Sequence, residues 1–150
     1  MIISSELIQI TTGTIGSLCF GILFNMHGKK LVFSVIGGFI ATGLFILTSH
    51  FVSSEPFVYF IVAAVISLYS EIMARILKTP ATPIITTALV PLIPGGSLYH
   101  TMAYAFNSSW SEFWEKAVYT LKLTSSLALG IILVTAAVQL TLKPFRHKKI

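Results

Sequence analysis

Apolar residues along this chain fall into five runs, each close to the roughly 20 residues that cross a bilayer core. The runs cover 7–24, 31–49, 56–77, 84–106 and 123–142. In hydrocarbon a spanning segment must satisfy its own backbone hydrogen bonds, so each run predicts a transmembrane helix. The pattern therefore predicts an all-α, polytopic helical bundle of five passes. The connections 25–30, 50–55 and 78–83 are short, and nothing is left over for a soluble unit, so 1–150 reads as a single transmembrane domain.

The fourth run carries Pro91-Leu92-Ile93-Pro94-Gly95-Gly96 at its middle. Each proline removes a backbone donor and clashes with the preceding turn, which predicts a broken helix. Broken backbone at membrane depth is tolerated where it is buried in protein or lines a watery cavity. From Ile84 to Pro94 is roughly 15 Å at helical rise, about half of the hydrocarbon core, which sets the break near the midplane. A second half-helix starting near Gly96 would aim the free N–H groups of Ser97, Leu98 and Tyr99 into the gap, where carboxylates bind well. Thr86, Thr87 and Ser97 would add hydroxyls, and Tyr99 and His100 would form a proton route outward.

The connection 107–122 is patterned rather than irregular. Ser109 and Glu112 have capping-box spacing, and Trp110, Phe113, Trp114, Ala117 and Leu121 recur at helical intervals opposite Glu112, Glu115, Lys116 and Tyr119. This predicts a separate helix lying on the outer surface, anchored by its rings. Within the runs, Gly13, Ser17 and Gly21, and again Ser34, Gly38 and Thr42, repeat every fourth residue and predict close helix contact. In the third run Ala63 and Ser67 share a stripe with Glu71, so this carboxylate should point into the bundle. It reads either as the partner of Arg75, four residues on, or as a titrating or solute-orienting group at the inner mouth tuned by Lys78.

Composition narrows the class further. With 55% hydrophobic and 10% charged residues and a mean hydropathy of +0.87, the chain lacks the charged surface of a soluble domain. The single Cys19 excludes an internal disulfide and supplies no metal cluster. Lys29, Lys30, Arg75, Lys78, Lys143, Arg146, Lys148 and Lys149 all fall on one side of a five-pass chain. By the positive-inside rule the N-terminus is outside and the C-terminus cytoplasmic. The net charge of +5 is divided among loop ends with no aromatic-interleaved patch, which argues against nucleic acid and for lipid headgroups. The N-terminus has no basic region before its apolar run and no obvious cleavage site, so a removable signal peptide is not expected.

Lys78-Thr79-Pro80-Ala81-Thr82, then the Pro91-to-Gly96 motif with Tyr99 and Met102, resembles the signature of the threonine/serine exporter family. Phe24-Asn25 and Gly28 before Lys29 are similar too. The resemblance covers nearly the whole chain and is nearest to the family's small one-domain subunit. It implies a bacterial inner-membrane protein working beside a larger membrane subunit of the same family. Export of threonine and serine is implied, with succinate for the two-subunit form. It also implies a transport pathway along both motifs, including Thr82, Pro91, Pro94, Gly95 and Gly96. Where the family pattern has a Pro-Gly pair this chain has Thr87-Ala88, which implies a longer continuous half-helix before Pro91. Pro83 departs as well and would stiffen the loop after Lys78.

The sequence thus favours a non-enzymatic subunit of a secondary transporter for small polar carboxylates, without cofactor or metal. Gly37-Gly38 and Gly95-Gly96 lack the spacing and lysine of a nucleotide loop, so energy would come from a gradient or a partner. A scaffold subunit that contributes helices but no solute contacts is the main rival. An intramembrane enzyme using Ser97 and His100 has only a Gly-Gly-Ser run in its favour.

Overall fold

The computed structural model describes residues 2–146, and side chains within 5–141. Lys148 and Lys149 of the basic tail lie outside the described residues, as do the side chains of Lys143 and Arg146. The described chain is helical almost throughout: α1 (Ile2–Leu23), α2 (Lys29–Phe51), α3 (Glu55–Ile76), α4 (Ala81–Leu89), a 3-10 turn (Val90–Leu92), α5 (Gly95–Phe106) and α6 (Trp110–Arg146). Among the described residues four helices are individually long and apolar enough to cross a membrane, and α4 with α5 makes a fifth if the bent pair counts as one span.

Three helix ends share one device. Asn25, Lys78 and Ser108 take the left-handed conformation just past α1, α3 and α5. The amide of Met26 donates to the Gly21 carbonyl, that of Thr79 to Ala74 and that of Ser109 to Tyr104, at 2.9 to 3.0 Å. This is the Schellman pattern, which satisfies otherwise orphaned carbonyls and turns the chain sharply. Its first use folds Met26 back under the bundle. There Met26 packs with Ala74 and Ile84, and Leu31, Met73, Leu77 and Ala81 close around them, so the ends of α1 and α3 meet the starts of α2 and α4.

The main core joins Ala41 of α2, Val58, Tyr59, Val62 and Ile66 of α3, Ala88 and Leu89 of α4, Leu92 and Leu123 of α6. Small residues let the helices approach. The Ser17 hydroxyl stands 2.0 Å from where a Cβ on Gly38 would lie, and a Cβ on Gly130 would come within 2.7 Å of the Phe60 carbonyl. The repeating small residues of α1 and α2 thus form a true interhelical contact. By contrast α1 and α6 leave most of their surface uncovered.

One element differs from the sequence expectation. The stretch 107–122 is not a separate surface helix, because α6 runs without interruption from Trp110 to Arg146. Its 37 residues span about 55 Å, longer than a bilayer core. The reason is the absence of any breaker between Lys122 and Leu123, together with anchoring on both sides. The Tyr119 hydroxyl donates to the Glu55 carboxylate, and the Thr101 and Thr120 hydroxyls meet at 3.2 Å. The expected capping box does not form either, since the Glu112 carboxylate accepts the Ser111 hydroxyl at 2.8 Å. The rings of Trp110, Phe113 and Trp114 do stack edge to face in a row, with both indoles exposed.

Candidate functional site

Pro91 has no amide proton to offer the Thr87 carbonyl, so α4 stops at Leu89 and tightens into the 3-10 turn. The Ile93 amide returns to the Val90 carbonyl at 3.2 Å and the Gly95 amide to Ile93 at 2.6 Å. The chain then leaves as α5 at 62° to α4. Pro83 sits in the first turn of α4 rather than in the loop before it, a position where the missing donor costs little.

Beside the break is an open cleft of about 380 Å³ lined by Gln9, Thr12 and Gly13 of α1, Thr42 and Phe45 of α2, and Pro91. A smaller cavity of about 40 Å³ shares Thr42, Phe45 and Pro91 and reaches Tyr59 and Leu92. Gly13 makes room here, since a Cβ would stand 2.5 Å from the Thr42 hydroxyl and 3.3 Å from Pro91. The Thr42 hydroxyl donates to the Gly38 carbonyl at 3.0 Å, which leaves its lone pairs open. The floor is aromatic, with Phe45 edge-on to Tyr59 at 5.1 Å. A wider cleft of about 700 Å³ runs beside α6 at Trp114, Glu115, Lys116, Val118, Tyr119 and Lys122, but one helix alone lines it.

The residues expected from sequence are not gathered into one site. Pro91 borders the cleft, Pro94 is buried, and Gly95 and Gly96 are exposed with open space where a side chain would stand. At the start of α5 the Leu98 amide already donates to the Pro94 carbonyl at 3.1 Å. Of the amides expected to be free only that of Ser97 is, and that of Gly96 joins it, since both precede the first intrahelical bond of α5. Ser97 is half-buried and its carbonyl accepts the Thr101 hydroxyl at 2.8 Å. Tyr99 and His100 are exposed on the flank of α5, ring to ring at 5.5 Å.

The threonines divide by face. Thr87 is fully buried, donating to the Pro83 carbonyl at 2.8 Å and lying 3.5 Å from the Met26 sulfur. Thr82 and Thr86 point outward, Thr86 donating back to the Thr82 carbonyl at 2.7 Å. On α3 the Arg75 guanidinium meets the Glu71 carboxylate at 3.1 Å and also donates to the Glu71 carbonyl. Glu71 is the more enclosed partner, at 14% side-chain exposure against 44% for Arg75. Lys78 enters no ion pair among the described residues.

Gln9, Thr12, Thr42 and Phe45 are the cleft residues that site reasoning from sequence left out. Gly13 and Thr42 were legible only as packing residues. Hydroxyl and amide side chains inside otherwise apolar runs were the available signal. Among the described residues no cluster of His, Cys, Asp or Glu could hold a metal ion.

An all-helical chain with this many bilayer-length apolar helices is a multi-pass membrane protein. Residues 9–137 match the family described as Threonine/Serine exporter, ThrE, and the chain belongs to that family. No curated protein matches it, and no solved structure does.

Proposed function

We propose that the protein is a subunit of a secondary transporter that exports small polar carboxylates, threonine and serine or a dicarboxylate such as succinate, together with a larger membrane subunit of the same family. The cleft at Pro91 carries this reading. The Gln9 amide and the open lone pairs of the Thr12 and Thr42 hydroxyls line it, and the break frees the amides of Gly96 and Ser97 with the positive end of the α5 dipole. The bent α4–α5 pair serves as the fourth of five passes in a bacterial plasma membrane, with the N-terminus outside and the C-terminus cytoplasmic. Glu71 and Arg75 stand at the cytoplasmic mouth, and Thr82, Thr86, Thr87, Tyr99 and His100 flank the route. The larger subunit closes the side of the cleft that α1 leaves open.

Membrane vesicles holding both subunits and loaded with labelled threonine or succinate test the reading. Flux is expected with the native pair and a loss of at least tenfold with Thr42→Val or Gly96→Leu while the complex stays assembled. Unaltered flux in both variants would leave a scaffold role. That second reading is favoured by the outward faces of Thr82, Thr86, Tyr99 and His100.

A further inference from the structure

The seam between α1 and α2 can be followed contact by contact. Ser17 lies against Gly38, and four residues nearer the start of α1 Gly13 lies against Thr42, four residues nearer the end of α2. The two helices therefore run antiparallel in a fixed register. Seven residues further along α1 and eight further along α2, the Glu6 carboxylate meets the His50 Nε2 at 3.0 Å. At helical rise that is about 10–12 Å past the Gly13 contact, in the same register.

The Pro91 cleft occupies this interval. Gln9 and Thr12 lie between Gly13 and Glu6, Phe45 lies between Thr42 and His50, and Pro91 forms a wall. The seam is thus shut by small residues at one end of the cleft and by an ion pair at the other. These closures differ in kind. The first is packing and carries no proton, whereas the second depends on one. Elsewhere α1 is lightly held, since most of its surface is uncovered.

Among the described residues, the charges around His50 leave Glu6 as its partner. The last three turns of α2 carry no other titratable group, and α4 and the 3-10 turn, which pack on α2, carry none at all. From α3 the groups at this end are Glu55 and Tyr59. The Glu55 carboxylate accepts the Tyr119 hydroxyl of α6, and the Tyr59 ring stands edge-on to Phe45. On α1 the other titratable group is Cys19, which lies beyond Ser17 toward the opposite end. The His50 side chain is 56% exposed and that of Glu6 29%, so protons reach both from solution.

Histidine is the side chain that ordinarily changes charge between pH 5 and 8. Protonated, His50 faces Glu6 in a charge-assisted pair; neutral, it offers an ordinary hydrogen bond about half as strong. The tie is therefore tight on the acid side of that range and loosens as pH rises through it.

We infer that the Glu6 and His50 pair is a pH-sensitive latch that holds the start of α1 against α2 at one end of the Pro91 cleft, clasped in acid and released toward alkaline pH. Release lets the start of α1 move off α2 and widens the cleft. The consequence for solute entry rests on the export reading above, while the latch itself does not.

Cysteine accessibility of the full chain in lipid nanodiscs tests this. Ile10, half-buried one turn past Glu6, takes the reporter as Ile10→Cys in a Cys19→Ser background, timed against a water-soluble methanethiosulfonate. His50→Gln keeps a neutral hydrogen-bonding group at every pH and so calibrates the thiol's own pH dependence. At pH 5.5 the reporter should label about two- to fivefold more slowly with His50 intact than in the His50→Gln chain, the span expected of a partly exposed ion pair. At pH 8 the two should label alike. Glu6→Gln should speed labelling at pH 5.5 as His50→Gln does, so either variant serves if the other fails to fold. Equal rates with and without the pair at pH 5.5, or a difference that persists unchanged at pH 8, overturns the latch. None of these rates requires transport, so the latch and the export reading fail separately.

Discussion

The crossing of α1 with α2 and the junction of α4 with α5 are both rich in glycine, and they use it in opposite ways. At Gly38 a Cβ would lie 2.0 Å from the Ser17 hydroxyl and 2.6 Å from its Cβ, so glycine there means contact. At Gly95 and Gly96 nothing stands within 4 Å, so glycine there means access. Within a membrane the first arrangement replaces the missing hydrophobic drive between helices with close packing. The second leaves backbone donors uncovered, which hydrocarbon does not tolerate unless protein or a watery cavity adjoins them. One sequence signal, small residues in an apolar run, therefore marks both the tightest and the most open parts of this bundle.

Substitutions can sharpen or break that contrast. Gly130→Ala should be the most damaging, because its Cβ meets the Phe60 carbonyl at 2.7 Å and the Ala64 nitrogen at 3.1 Å, and backbone cannot swing aside. A loss of about 2–3 kcal/mol is expected from denaturant or thermal melts in nanodiscs. Gly38→Ala should cost about 1–2 kcal/mol, less because the Ser17 hydroxyl can rotate although its Cβ cannot. If the double variant Ser17→Gly with Gly38→Ala melts no higher than Gly38→Ala alone, the contact assigned to this crossing is not the one that limits it.

Smaller effects test the ion pair and the open junction. Glu71→Gln should lower stability by about 0.5–1 kcal/mol, since Arg75 is 44% exposed and a partly exposed pair is worth little. A much larger loss would mean that the carboxylate is buried against a further partner. Gly96→Ala should change stability by less than about 0.5 kcal/mol, because the added methyl enters open space and alanine favours the helix. The same substitution should reduce flux in paired-subunit vesicles by narrowing the approach to the Gly96 and Ser97 amides. A marked drop in melting temperature for Gly96→Ala would end the contrast between the two regions.

Much of the fold was legible because its causes are local. Run length against bilayer thickness located the helices, and Pro91 ended α4 through a donor it does not have. The spacing of four offered the Glu71 and Arg75 contact as one of two readings, and the structure shows that contact. The extent of α6 was misread because the aromatic stripe of 107–122 carries the same pattern whether its helix lies on the surface or continues into the next span. The cleft was half-legible: Pro91 announced it, while Gln9, Thr12 and Phe45 belong to helices whose neighbours no spacing within them reveals.

By itself the sequence determined which segments are helices, where one of them breaks, and which faces carry small residues, since these depend on hydrogen bonds and side-chain volumes within a few residues. Only the tertiary structure decided that Gln9 and Thr42 open onto the proline of another helix. The physical reason is that helix-to-helix register is fixed by how whole faces pack and by three tight Schellman turns that set α1 against α2, α3 against α4 and α5 against α6.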